Sequence, residues 1–493
     1  MTFNLRHWIP AFAGMTTTAM LWTCLSFPDL PLAVFARGAT RETPAVVASA
    51  SHRPDVVAAN DAARKRGIVP GLSIAAALAL DPAIAIHLRD ERAESHALKG
   101  IALWAGQWTS TISVEPPTCV LLEISGGLTY FGGLENFLGR IDAGLATLGF
   151  TGVIATAPTA GAASLFARAG QPIIIEEDAD WARKLAALPI ALLDSAQAAL
   201  DTLSGIGVRT IGEFIALPRD GVARRFGQAL LDEVDRARGM LPDPRPPFVP
   251  PERYHGQLEL PAPVDEAEAL LFGIKRLVVE LAGFLQGRGA GVTRLRCDLV
   301  HEDAAPTSIV LGLTSTRQVE HIMNVLRERL AREELPDRVE AIRIVSEETA
   351  PLGAKESDFF PVAGRDGEAG AQLFERLRAR LGEDAVRTLE LRADHRPEQA
   401  WGQTTIIGRA VPLNHRGLSP VRPLWLFPSP RSLGADPAAA EVRLVSGPER
   451  IETGWWDGDD VGRDYFVGRN ARGEELWLYR DRGGEWFAHG VFA

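Results

Sequence analysis

The 493-residue chain contains only three cysteines, Cys24, Cys119 and Cys297. They lie far apart and form no CxxC, so neither a disulfide framework nor a thiolate zinc site is supported, and a reducing cytoplasm is the expected setting. The ten histidines include no HxH, HExxH or Cys/His cluster, which leaves zinc catalysis without a motif. No stretch approaches the about 18 uninterrupted apolar residues of a membrane span, and the first nineteen residues lack an apolar run of signal-peptide length. The expectation is therefore a chain neither exported nor membrane-spanning, with residues 1–19 either a disordered extension or the product of a start codon placed too early. Basic surplus is lacking too. At a net charge of −11, bulk electrostatics cannot hold the chain on nucleic acid, so any such surface must be a local patch of Lys and Arg.

What is present is ordinary globular composition, 46% hydrophobic and 23% charged. At roughly 100–200 residues per domain, the length predicts about four or five units. LWTCLSF (21–27) and PAVVASAS (44–51) read as buried strands separated by the turn PDLP. VAANDAARKRGIVPG reads as a helix ending at Gly67, and SIAAALALDP as a short helix closed by Asp81-Pro82. A long helix around 91–112, the strand CVLLEIS, the turn GGLTYFGGL, a further helix and the strand GVIATAP follow. This alternation predicts an α/β or α+β sheet domain. The Gly126-Gly127 and Gly132-Gly133 pairs precede no Lys-Ser/Thr and read as turns, not as a phosphate loop.

Residues 199–217, ALDTLSGIGVRTIGEFIAL, place Gly205-Ile206-Gly207 between two short helices. This is the pattern of a helix-hairpin-helix, whose glycines admit a DNA phosphate to the backbone, although a helix C-cap with a tight turn has the same pattern. PDPRPPFVPPE (242–252) holds six prolines and reads as a stiff extended tether at a domain boundary. Beyond it, a helix (265–286), strands at 291–300 and 307–313, a helix (316–335) and a strand (339–347) make a compact α+β unit. In GVTRLRCDLV, alternation sets Leu295, Cys297 and Leu299 on one face and Arg294 and Arg296 on the other, where they could meet phosphates or simply be solvated. Six of the eleven tryptophans lie after residue 351, which predicts a small aromatic-rich β unit at the end. Acids outnumber bases there, favouring a protein partner over nucleic acid.

Taken in order, the pieces resemble the Y-family (UmuC-like) translesion DNA polymerases over about residues 20–350. The resemblance implies an α/β and α+β multidomain fold: palm-like segments at 20–29 and 88–180, fingers-like at 30–87, a helix-hairpin-helix thumb at 181–241, a tether at 242–256 and a little finger at 257–350. It further implies a linker region at 351–440 and a Trp-rich interaction unit at 441–493. Active members of the family hold two magnesium ions on three carboxylates, one ion activating the primer hydroxyl and the other neutralising the triphosphate. Here Cys24 stands at the first acid position, Ser26 where a second acid often follows, and the later Asp-Glu pair has become Glu115-Pro116. Cys and Ser are poor ligands for a hard cation.

The helix in VVAANDAARKRGIVPG resembles the family's triphosphate-binding helix. Arg64 matches its phosphate-binding arginine, but Asp61 stands for the expected tyrosine, and Ala160 replaces a lysine expected after the next strand. LWTCLSFPDLPL, VLLEISGGLTYFGGL, GPERIETGWWDGDDVGRDYFVGRNARGEELWLYRD and WFAHGVFA narrow the resemblance to the non-catalytic, ImuB-type homologues of bacterial mutasome cassettes. This implies no catalytic residues and no cofactor. It implies a cytoplasmic adaptor, nucleoid-associated on DNA damage, that binds primer-template DNA, the beta sliding clamp, a RecA-like ImuA protein and a DnaE-like error-prone polymerase. The DNA-binding candidates are Gly205, Gly207, Arg209, Arg294 and Arg296. The clamp-binding candidate is KESDFFP, with Glu356, Asp358, Phe359 and Phe360; the partner-binding candidates are Trp455, Trp456, Trp477 and Trp486. Gln372-Leu373-Phe374 is a weaker clamp candidate, since Leu373, Leu377 and Leu381 read as one face of an amphipathic helix. The rival reading is an active magnesium-dependent polymerase that has recruited Asp29 or Glu123, although Glu123 is expected to face away.

Overall fold

The computed structural model describes residues 20–36, 43–174, 181–352, 365–382, 385–404, 422–423 and 425–492. The chain divides into two compact units, residues 1–362 and 363–493.

The first unit begins with β1 (Trp22–Ser26), α1 (Leu30–Ala36), β2 (Ala45–Ala48), β3 (Val56–Ala59), α2 (Asp61–Arg64), α3 (Ile74–Leu80), β4 (Ala85–Leu88) and α4 (Glu91–Ala105). It continues through β5 (Ile112–Glu115), β6 (Cys119–Glu123), α5 (Leu134–Leu148), β7 (Val153–Ala157) and α6 (Ala160–Arg168). β1 is sandwiched in the sheet order β5-β6-β1-β7, and β2 in the smaller sheet β3-β2-β4. WTCLS is buried at every position because a central strand with helices on both sides has no solvent face. Leu25, Val120 and Leu122 pack toward α4 and α5, while Cys24, Cys119 and Leu121 pack toward α6.

Two segments differ from the sequence reading. Val56–Ala59 is a strand against β2, because Val56 and Val57 favour the pleat and Asn60 starts a new helix by accepting from the Ala63 N–H. Only Asp61–Arg64 is helical. The long helix stops at Ala105, and Ile112–Glu115 pairs with β6 as an edge strand.

A helical cluster follows: α7 (Trp181–Ala186), α8 (Leu200–Gly205), α9 (Ile211–Ile215), α10 (Arg219–Phe226) and α11 (Gln228–Ala237). α9 opens on a capping box between Thr210 and Glu213. The next sheet comprises β8 (His255–Val264), α12 (Ala267–Gly287), β9 (Ala290–His301), β10 (Thr307–Thr316), α13 (Val319–Leu330) and β11 (Val339–Pro351), with strand order β10-β9-β11-β8. β8 was not anticipated; it contains PAPV, which an edge strand tolerates because its outer N–H groups need no partner. α12 lies on α4 at close range. A Cβ on Gly283 would sit 2.6 Å from the Trp104 carbonyl oxygen, so glycine is required for this approach.

The second unit holds α14 (Arg365–Leu381), β12 (Thr388–Leu391), β13 (Trp401–Thr404), β14 (Trp425–Gly434), β15 (Arg443–Thr453), β16 (Val461–Arg469), β17 (Glu475–Asp481) and β18 (Trp486–Val491). The last five form one antiparallel sheet in the order β14-β18-β17-β16-β15. The expected β unit therefore starts at Trp425, and the expected linker at 351–440 contains α14, β12, β13 and β14. Leu373 and Leu381 are exposed on α14, so the predicted apolar helix face is not buried there.

Candidate functional site: a cleft where Arg245 meets Glu115

β1 brings Cys24 opposite Leu121 of β6 and Ala155 of β7, where it is completely buried. Ser26 lies opposite Cys119. The β5-β6 hairpin turns at Pro116-Pro117, pairs Glu115 with Cys119, and leaves the Glu115 carboxylate at the mouth of a cleft. That cleft, about 820 Å³, is lined by Glu115, Cys119, Arg168, Arg236, Asp243 and Arg245 among others.

The six-proline segment supplies the groups that answer Glu115. Arg245 Nη1 lies 3.2 Å from Glu115 Oε2, and its Nη2 donates to Asp243 Oδ2 at 2.7 Å. Burial opposes the Arg245 charge, but the Asp243 and Glu115 carboxylates outweigh it and raise the guanidinium pKa above its ordinary value. Ser113 Oγ donates to Glu115 Oε1 at 3.1 Å. The same Asp243 oxygen accepts the Gly161 N–H, 3.0 Å away, in the first turn of α6. An acid from the proline segment thus takes the positive end of α6, and an arginine from the same segment takes the face of Glu115. The segment expected as a tether is also pinned further along, where the Phe248 N–H donates to the Ile112 carbonyl at 2.7 Å.

These residues do not fit a pair of magnesium ions. The hard cation would find Glu115 and Asp243 already paired with Arg245, beside a buried thiol and a proline. Among the described residues, no three His, Cys, Asp or Glu side chains converge to hold a metal ion. The two acids that might have been recruited are engaged elsewhere. Asp29 accepts from Arg64 at 2.7 Å, and the Glu123 carboxylate accepts from the Ser125 N–H at 3.0 Å and from its hydroxyl. Glu123 shares the Cys24 face by alternation and does not point to the opposite face as expected, but it sits opposite Trp22, at the far end of β6 from Glu115.

Of the residues expected to meet a nucleotide, Arg64 closes α2 and is tied to Asp29, while Asp61 is exposed at the first position of the same helix. Ala160 is buried at the start of α6 behind the Thr159 cap. In the helical cluster, Gly205 ends α8 and Gly207 adopts φ +87, a left-handed turn that requires glycine. Arg209 follows, its N–H held by Glu213 at 2.7 Å. On β9, Arg294 and Arg296 share the predicted open face, and both bind Glu347 of β11, at 2.8 and 3.0 Å. That acid was not foreseen from the sequence.

Glu356, Asp358, Phe359 and Phe360 lie outside the described residues. The four tryptophans separate. Trp455 and Trp456 are 78% and 58% exposed and meet edge to face, whereas Trp477 and Trp486 are buried in the sheet core. Trp477 stacks on Tyr465 at 4.0 Å, so it and Trp486 cannot anchor a partner as expected. Arg245 and Asp243 were missed because a proline-rich run gives no periodicity by which to locate its side chains. The cysteines read as far apart are neighbours in one case, Cys24 with Cys119.

No protein-family model matches the chain. It is similar over nearly its whole length to Protein ImuB of Caulobacter vibrioides, in strain NA1000 / CB15N and strain ATCC 19089 / CIP 103742 / CB 15. The identity is 26% over 460 residues, covering 86% of this chain and 100% of the relative. Among solved structures it is similar to the Dbh ternary complex, at 18% identity and a TM-score of 0.40, and to DinB from Sulfolobus solfataricus, at 17% and 0.38. Each match covers 68% of this chain and 100% of the other.

Proposed function

We propose that the chain is a polymerase-shaped adaptor without polymerase activity, acting in damage-induced translesion synthesis. The observation that carries this reading is the Arg245–Glu115 pair. One carboxylate remains of the three that two-metal phosphoryl transfer needs, and a guanidinium from the chain itself neutralises it. The reading needs no resident cofactor. Asp61 and Ala160 weaken the triphosphate site independently, since each removes a group that would have met negative charge.

DNA binding survives in this reading because its groups stand apart from the cleft. Gly205, Gly207 and Arg209 offer a backbone turn, and Arg294 and Arg296 two guanidiniums that phosphate would have to draw from Glu347 and Asp298. Binding is weak, sequence-tolerant and steeply reduced by salt. The similarity to Protein ImuB supports the further expectation of a sliding clamp, a RecA-like ImuA protein and a DnaE-like polymerase as partners, in the cytoplasm and at the nucleoid after damage.

The deciding experiment is primer extension by the purified chain with magnesium or manganese, beside a primer-template binding titration. No template-directed incorporation is expected, and binding is expected to fall when Arg294→Ala, Arg296→Ala and Gly205→Val are combined. Robust incorporation abolished by Glu115→Ala would establish the active-polymerase reading instead.

A further inference from the structure

Cys24 and Cys119 occupy the same face of the first sheet. With Ser26 opposite Cys119 and Cys24 opposite Leu121, the two cysteines are diagonal neighbours across β1 and β6. Both side chains sit in the cluster packed against α6. They are not equivalent, however. Cys119 lines the 820 Å³ cleft, on the side where Arg168 also opens into it, and its Sγ lies 3.7 Å from the Thr118 hydroxyl. Cys24 lies behind it with no exposure at all. The hydrogen bond from Cys24, opposed by burial and joined by those of Ser26 and Thr118, draws the Cys119 thiol below its ordinary range while Cys24 moves up. The third cysteine, Cys297, sits alone in the core of the second large sheet, its pKa pushed up to about 12 by desolvation.

We propose that Cys119 and Cys24 form an oxidant-responsive pair, Cys119 meeting a small hydroperoxide from the cleft and Cys24 resolving the product. In the first step the Cys119 thiolate attacks one peroxide oxygen and the O–O bond breaks. Cys119 becomes a sulfenic acid, oxidised by two electrons, and the departing hydroxide takes the Cys24 proton to leave as water. In the second, the Cys24 sulfur attacks the Cys119 sulfur and the S–O bond breaks. Hydroxide departs, and a Cys24–Cys119 disulfide remains. Diagonal neighbours lie about 7–8 Å apart at Cα. Relaxed disulfides span up to about 6.8 Å. The bond therefore draws β1 and β6 together and opens readily to a thiol reductant.

The test is mass mapping of the full chain after hydrogen peroxide at pH 7, with free thiols alkylated and the digest kept unreduced. A Cys24–Cys119 cross-linked peptide is expected, with Cys119 consumed at least about tenfold faster than Cys297, and with the thiol form recovered by dithiothreitol. In Cys24→Ala, Cys119 is expected to accumulate as a dimedone adduct. The wild-type mapping stands even if that variant folds poorly. Equal consumption of Cys119 and Cys297, or absence of the cross-linked peptide from the oxidised wild type, would overturn the pair.

Discussion

Arg245 sets its guanidinium 3.2 Å from the carboxylate of Glu115, with both side chains about three-quarters buried, at 22% and 27% exposure. The acid ends β5, and the arginine comes from a proline-rich segment far along the chain. The fold itself supplies the cation that Glu115 faces. The pair thus ties the β5-β6 hairpin to the proline-rich segment.

Removing Arg245 leaves two part-buried acids, Glu115 and Asp243, without their cation. Arg245→Ala is expected to lower unfolding free energy by about 1–3 kcal/mol, and Glu115→Gln by less, because Arg245 keeps Asp243. A urea-denaturation double-mutant cycle measures the coupling. The same geometry predicts that Cys24→Asp with Pro116→Glu will not bind manganese in calorimetry until Arg245→Ala is added. Manganese binding with Arg245 intact would show that the guanidinium does not hold the site closed.

Two glycines give a paired expectation. A Cβ on Gly283 would meet the Trp104 backbone, with carbonyl oxygen at 2.6 Å and Cα at 2.8 Å, whereas one on Gly205 would meet nothing within 4 Å. Gly283→Val is expected to cost about 1–3 kcal/mol through the α12-α4 contact. Gly205→Val is expected to leave the melting temperature nearly unchanged and to act only on DNA binding. Equal melting shifts for the two would contradict the close approach of α12 to α4.

Much of this was legible beforehand. LWTCLSF read as a buried strand, which β1 is, and alternation in GVTRLRCDLV sorted Arg294 and Arg296 from Leu295 and Cys297 correctly. Short edge strands were not legible. Ile112–Glu115 follows a helix directly and ends in prolines, and β8 contains PAPV, so local propensity argued against both until sheet neighbours supplied the hydrogen bonds. Asp243, Arg245 and Glu347 were invisible for a different reason. Their roles are contacts far apart in sequence, Arg245 to Glu115, Asp243 to the Gly161 N–H and Glu347 to Arg294 and Arg296, which no local pattern encodes.

The second unit carries a pH expectation. The buried Arg396 guanidinium bonds Asp394 at 2.8 Å and Asp457 at 2.5 Å, and it holds the Asp394 carboxyl down from its ordinary 3.8 to about 2. A folded-state value below the unfolded one means stability that is full above about pH 4 and lost as pH falls toward about 2. Hydrogen-exchange protection of peptides spanning 394–460 should therefore decline across that window. Arg396→Gln should lower protection at neutral pH and flatten the decline. An unchanged slope in the variant would remove the pair from the explanation.

The tryptophans separate recruitment from folding. Deleting residues 440–493 would strip β18 from β14 and destroy the sheet, so loss of a partner in that deletion would say nothing about anchors. Trp455 and Trp456 instead stand exposed on a loop whose Asp457 and Asp459 are bound by Arg396. A pair of aromatic rings on a held loop loses little further freedom on binding, which is what a dominant interface residue requires. Trp455→Ala with Trp456→Ala is expected to weaken association with the RecA-like or DnaE-like partner at least about tenfold, at about 1.4 kcal/mol per decade. The melting temperature should barely move, because neither ring packs in the core. Trp477→Ala, which removes the ring stacked on Tyr465, should instead cost about 3–5 kcal/mol of stability and lose the partner only by unfolding the sheet. Pull-downs from the two variants, read beside their melting curves, distinguish the cases. Full partner binding by a folded Trp455→Ala, Trp456→Ala chain would move the interface off this loop.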